Sequence, residues 1–131
     1  MTRINVVPPA ELCDQHLLAE YRELTRVPAA VLRANGSVTL SPAGAAYCLG
    51  AGHVRFFYDK LGYLLERYSL LHAECVRRGF NVQLRWPAEA RADTLGLHLF
   101  GYYVATPAAL ALNRERITAR MPKHPRFTEY K

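Results

Sequence analysis

The sequence predicts an all-α fold, a single domain over residues 1–131 with about three main helices and long connecting loops. Three observations carry that expectation. Val54, Phe57, Leu61, Leu64, Tyr68, Leu71 and Cys75 follow a strict three-four alternation that places all seven on one helical face. Cys13, Leu17, Tyr21 and Leu24 form a second apolar stripe at helical spacing. Thr106-Pro107 is an N-cap followed by a first-turn proline, the start of a third helix. A chain of 131 residues is long enough for one core and short for two.

In chain order, Pro8-Pro9 initiates a helix expected to run to about residue 26. On its wheel Gln15, Arg22 and Arg26 share a polar stripe, with Glu23 and His16 beside it. The separation is imperfect, because Asp14 and Glu20 border the apolar side. Residues 28–33 read as a short second helix, stopped by the turn pair Asn35-Gly36, and residues 37–49 read as loop. Residues 53–78 read as one long helix that crosses the domain and forms its core. Arg77-Arg78 suit its C-terminus and Gly79 supplies a left-handed stop. Gly62 lies off the apolar stripe and costs roughly 1 kcal/mol of helix propensity. Residues 80–85 read as extended and end at Pro87. HLFGYYV, within residues 88–105, reads equally well as a short strand or as a buried irregular segment. The last helix runs to about residue 121 and is closed by Pro122 and Pro125.

Composition narrows the function. Seventeen Lys+Arg oppose eleven Asp+Glu, for a formal charge of +6. The excess is uneven. In residues 1–26 three arginines face Glu11, Asp14, Glu20 and Glu23, whereas residues 107–131 are strongly basic. Fourteen of the seventeen cations are arginines, whose planar forks suit phosphate, so a polyanion is one natural partner. A solvated basic surface accounts for the charge equally well. No apolar run approaches a membrane span, and the N-terminus turns polar too early for a secretory signal, so a cytoplasmic protein is expected. Cys13, Cys48 and Cys75 are an odd set without CxxC spacing, which argues against a disulfide framework. His72 and Cys75, one turn apart, supply two metal ligands where a site needs more, so no metal is expected. Gly50-Ala51-Gly52 reads as a tight turn in preference to a phosphate loop, and no nucleotide-binding or hydrolase signature is present.

The order of short blocks is more specific. MTRIN (1–5), ELCDQHLLAEYREL (11–24), GAGHV (50–54), FFYDKL (56–61), AEC (73–75) and RRGFN (77–81) resemble the phage pyrimidine-dimer DNA glycosylase family. The resemblance is close over residues 1–26 and 50–81 and looser over 103–126. It is slight over 27–49 and 82–102.

The resemblance implies a small helical DNA-repair enzyme that needs no metal or other cofactor. Its substrate would be double-stranded DNA carrying pyrimidine dimers or abasic sites. Such an enzyme removes the 5′ base of a cyclobutane pyrimidine dimer and then nicks the strand as an abasic-site lyase. The implied nucleophile is the α-amine of Thr2 once Met1 is removed. An α-amine titrates at about 7.7–8.0 against about 10.4 for lysine, so a useful fraction is neutral near pH 7.5. Arg3 and its neighbours favour the neutral amine further by like-charge repulsion.

Glu23 matches the family's catalytic carboxylate, which stabilises positive charge at C1′ and manages protons around the imine. Read without the resemblance, Glu23 is half of a surface pair with Arg22 or Arg26. Arg22 and Arg26 match phosphate-contacting positions, Arg3, Gln15 and His16 match residues lining the site, and Arg116 and Arg120 match basic positions that grip the backbone. The family kinks its DNA and flips out the adenine opposite the lesion. A monomer that associates with the nucleoid through DNA is expected. The tail HPRFTEYK departs from the family. Phe127 keeps one aromatic, while Thr128 and Glu129 replace others. Two alternatives therefore stay open: an abasic-site lyase or ring-opened-purine glycosylase with weak dimer activity, and a non-catalytic DNA-binding module.

Overall fold

The computed structural model describes residues 2–129. Its helices are α1 (Asp14–Leu24), α2 (Arg26–Arg33), α3 (His53–Phe56), α4 (Leu61–Arg77), α5 (Ala92–Leu95) and α6 (Pro107–Ala119). Two 3₁₀ turns, Pro9–Glu11 and Leu97–Leu99, complete the regular structure, and no strand occurs among the described residues. The three longest helices are α1, α4 and α6, as expected. No helix among the described residues is long and apolar enough to cross a membrane.

Both expected apolar stripes point into one core. Cys13, Leu17, Tyr21 and Leu24 are buried, as are Phe57, Leu61, Leu64, Tyr68, Leu71 and Cys75, while Val54 is half-buried. Stacked rings of Tyr21 and Tyr68, with centroids 4.8 Å apart, mark where α1 crosses α4.

The first helix is shorter than the sequence suggests. After the Pro9–Glu11 turn, Leu12 and Cys13 are extended, and α1 begins at Asp14. Breaking the helix frees the carbonyls of Pro9, Ala10 and Leu12, which converge on the Arg78 guanidinium. At the other end Thr25 stays in the right-handed helical region, so α2 starts at Arg26 with Pro28 in its first turn, where no N–H is needed.

Residues 53–78 are likewise two helices. Phe56 and Phe57 are both buried, and the turn over 57–60 exposes the Asp59 carbonyl, which accepts from Gly101 N–H at 3.0 Å. Lys60 pairs with Phe100 in an isolated antiparallel bridge. That single bridge and the Leu97–Leu99 turn stand where a strand was considered for HLFGYYV, and the segment is irregular but only partly buried, since Leu99 is buried while Tyr102 and Val104 are exposed. Residues 80–85 form no regular secondary structure. The Tyr21 hydroxyl donates to the Gln83 carbonyl, and Arg85 N–H donates to the Tyr68 hydroxyl at 2.7 Å.

Gly79, at φ 88°, closes α4 as expected, with Phe80 N–H reaching back to Cys75 O at 2.9 Å. Thr106 Oγ1 caps α6 by accepting from Ala109 N–H at 3.1 Å. Arg78, by contrast, is no surface complement to the helix dipole. It is 4% exposed and paired with Asp14 and Glu74 at 2.9 and 2.8 Å. Glu20 is buried against Arg67, at 2.7 Å. Asp14 and Glu20 border the apolar face because buried arginines of, or just beyond, α4 neutralise them.

Gly62 is no idle cost to α4. A β-carbon there would stand 2.7 Å from Phe100 O and 3.0 Å from Gly101 O, and Tyr63 N–H donates to Gly101 O at 3.0 Å. The glycine lets residues 100–101 lie on the first turn of α4. Gly62→Ala is therefore expected to destabilise the protein by about 1–3 kcal/mol, since backbone overpacking outweighs the roughly 1 kcal/mol gained in propensity. A lowered urea midpoint confirms this, and a raised one contradicts it.

Candidate active site

The N-terminal segment threads through the interior without a sheet partner, so its backbone groups depend on side chains. Ile4 N–H donates to His53 Nε2 at 2.9 Å, and Ile4 O accepts from the Tyr47 hydroxyl at 3.0 Å. Val6 N–H and Val7 N–H both donate to Asn113 Oδ1, at 2.7 and 3.1 Å. Val7 O accepts from Arg67 Nη1 at 2.6 Å. Arg67 also holds both Glu20 oxygens, at 2.7 and 3.0 Å. Asn5 Nδ2 donates to Glu20 at 2.8 Å, and Asn113 Nδ2 donates to Asn5 Oδ1 at 2.8 Å. Segment, α1, α4 and α6 thereby share one buried polar network.

Beside this network lies a cleft of about 280 Å³. His16, Ala19, Glu20 and Glu23 form its α1 wall, at the i, i+3, i+4 and i+7 spacing of one helical face. Arg116, Ile117 and Arg120 form the α6 wall, and Arg3 and Asn5 the end between them. Burial holds the Arg116 guanidinium below its ordinary value, and repulsion by Arg3 and Arg120 adds to the effect. Among the described residues, Arg3 Nε and Arg116 Nε are buried without a hydrogen-bond partner. Glu11, Glu20 and Glu74 are each tied to an arginine, whereas half-buried Glu23 makes no ion pair among the described residues. The pairing with Arg22 or Arg26 that the sequence allows is not formed.

Five of the nine residues singled out by sequence thus share the cleft: Arg3, His16, Glu23, Arg116 and Arg120. Thr2 lines a separate depression with Arg26, at the junction of α1 and α2. The two hollows share no lining residue, although Thr2 directly precedes Arg3 in the chain. Met1, whose removal the Thr2 expectation requires, lies outside the described residues, as do residues 130–131 of the tail.

Arg22 and Gln15 are placed elsewhere. Arg22 borders a hollow with Tyr21, Asn81, Gln83 and Arg85. Gln15 holds the tail, donating to His124 O at 2.8 Å and accepting from Arg126 N–H at 3.1 Å. Thr128 supports the same docking, its N–H and hydroxyl both donating to the Asp14 carboxylate. The polar stripe read from the wheel therefore splits into a cleft face and two flanks.

Asn5, Glu20, Tyr47, His53, Arg67 and Asn113 escaped the sequence reading. Glu20 had left a trace as an acid on an apolar border. The others are polar residues whose partners lie far along the chain, from 15 to 108 residues away, a pairing that periodicity does not reveal. Among the described residues no three His, Cys, Asp or Glu side chains cluster in a metal-binding arrangement.

Three arginines and one carboxylate around a single cleft form a cationic arrangement whose chemistry suits a polyanion and proton transfer. The chain belongs to the pyrimidine dimer DNA glycosylase family, whose model matches residues 1–88 of the 131. It is accordingly a DNA-repair enzyme with DNA as its substrate. The match covers the N-terminal segment and α1 to α4, while Asn113, Arg116 and Arg120 lie beyond it.

Because Nε2 accepts from Ile4, the neutral His53 ring carries its proton on Nδ1 and donates to Cys48 O at 2.7 Å. Burial holds this imidazole below its ordinary 6.5, and Arg116 and Arg3 push the same way. The unfolded chain therefore takes up a proton near pH 6.5 while the folded one does not, so stability falls as pH drops below that value. His53→Gln, which cannot titrate, is expected to be less stable than wild type at pH 7.5 and to close part of that gap by pH 5.5. Parallel stability curves in urea titrations across that range would contradict the assignment.

Proposed function

We propose that this protein is a bifunctional glycosylase and abasic-site lyase acting on pyrimidine-dimer DNA through the α-amine of Thr2. What supports the reading is the Glu23 carboxylate, which makes no ion pair among the described residues and shares its cleft with Arg3, Arg116 and Arg120, while Thr2 directly precedes Arg3 in the chain. The neutral Thr2 amine attacks C1′ of the 5′ nucleotide of the dimer. The glycosidic C1′–N bond breaks, and the base leaves with its electron pair and takes up a proton. Loss of a proton from the new C1′–N bond and opening of the sugar ring give a Schiff base. Removal of a C2′ proton then expels the 3′ phosphate by β-elimination, and water releases the amine.

Glu23 stabilises the cationic C1′ and receives and returns protons around the imine. The surrounding arginines serve two ends. They bind phosphates without reading sequence, and their field disfavours protonation of the amine. His16 carries the α1 wall toward α6, its Nε2 lying 3.1 Å from Arg120 O. Arg22 and Arg26 extend the phosphate-binding surface over the flanks of α1 and α2. Gln15 acts through the tail that it holds.

Borohydride reduction tests the chemistry, using protein shown by intact mass to lack Met1. A covalent adduct is expected on duplexes containing a dimer or an abasic site, and acetylation of the N-terminus should abolish it. Glu23→Gln should slow strand cleavage by about 10²–10³-fold. An untrappable wild-type enzyme, or unimpaired cleavage by Glu23→Gln, would contradict the mechanism.

A further inference from the structure

We infer that Asn113 is a positioning residue for the reaction, pinning the nucleophile-bearing N-terminal segment in register with the arginines that hold DNA. The inference rests on the Thr2 reading above. Asn113 is 1% exposed and sits on the inward face of α6. Its one carbonyl oxygen accepts from two successive backbone amides, Val6 and Val7, at 2.7 and 3.1 Å. Its amide group donates to Asn5 Oδ1 at 2.8 Å, and Asn5 in turn donates to Glu20 on the cleft wall. One side chain thereby engages three consecutive residues of the segment.

Its position on α6 gives these contacts their consequence. Arg116 stands one turn beyond Asn113 on the same helix, and Arg120 one turn beyond that. Both line the cleft. The segment carries Thr2 and Arg3 at one end and is tied to α6 four residues later. Asn113 therefore sets the register of the segment on α6, the helix of the arginines, while His53 and Tyr47 hold Ile4 between that anchor and Thr2. Val6 and Val7 have no strand to take their N–H groups, so loss of the Asn113 oxygen leaves two buried donors unsatisfied. The segment can recover those bonds only by shifting toward water, and a displacement of about 1 Å at a reacting atom is enough to cost about a hundredfold in rate. DNA affinity should change little, because neither Arg116 nor Arg120 is altered and phosphate contacts dominate binding.

The experiment compares wild type, Asn113→Ala and Asn113→Asp, all lacking Met1, on abasic duplex. Borohydride trapping under single-turnover conditions is measured beside duplex affinity. Asn113→Ala is expected to trap about ten- to hundredfold more slowly, with affinity within about twofold of wild type. Asn113→Asp keeps the acceptor for Val6 and Val7 and should recover much of the rate. Wild-type trapping by Asn113→Ala, or parallel loss of trapping and binding with no recovery in Asn113→Asp, would overturn the positioning role. Hydrogen exchange on wild type supplies a check that needs no variant. The Val6 and Val7 amides should be among the slowest to exchange, and rapid exchange would also overturn it. Slow exchange in a wild-type protein that cannot be trapped would instead bring down the Thr2 chemistry and with it the purpose assigned to Asn113.

Discussion

A largely buried segment with no strand or helix partner must have its peptide groups satisfied some other way, and residues 4–7 impose that constraint on the whole fold. Each side chain that answers it comes from a different part of the chain. Tyr47 lies in the loop before α3, His53 at its start, Arg67 in the middle of α4 and Asn113 in α6. None of these contacts is available until the helices have packed. Residues 4–7 are thereby held by tertiary contacts alone, close behind the terminus that the proposed chemistry uses. A free terminus is ordinarily among the least ordered parts of a domain.

Charge is arranged on the same logic, in two populations. Arg67 and Arg78 are buried and fully engaged, bringing α1 and α4 together through Glu20 and Asp14. Such pairs contribute little net stability relative to apolar replacements, yet losing one partner costs roughly 3–5 kcal/mol, so they specify arrangement more than they add stability. Arg3, Arg116 and Arg120 are gathered on the cleft with few acidic partners, and their mutual repulsion is felt at Arg116. Holding like charges close costs folding energy, and a bound polyanion would relieve that repulsion. Within that cationic cleft Glu23 makes no ion pair among the described residues, whereas Glu20, one turn earlier, is held by Arg67.

Much of this was legible in the sequence, and the limits have physical causes. The stripe from Phe57 to Cys75 announced the core because α4 buries one face at regular spacing. The N-cap at Thr106 and the stop at Gly79 are local, and local signals survive without tertiary context. The break over 57–60 was not legible, because its cause is the distant segment 100–101 docking on Asp59 and Gly62. Glu23, Arg3 and Arg116 could be singled out through family resemblance, whereas Asn113 lies where the resemblance is loose and its partners are more than 100 residues away. Gln15 shows the opposite limit. Its place on the wheel is right, but in this chain both ends of its amide are occupied by residues 124–126.

The proposed chemistry requires the N-terminal amine at the point of reaction. The chain offers few rival amines, since Lys60, Lys123 and Lys131 are its only lysines. Peptide mapping of the borohydride-reduced adduct by mass spectrometry therefore tests the claim most directly. The account predicts the sugar remnant on the peptide that begins with Thr2, bonded to its α-nitrogen. An adduct on any of the three lysines, with the N-terminal peptide unmodified, would contradict it.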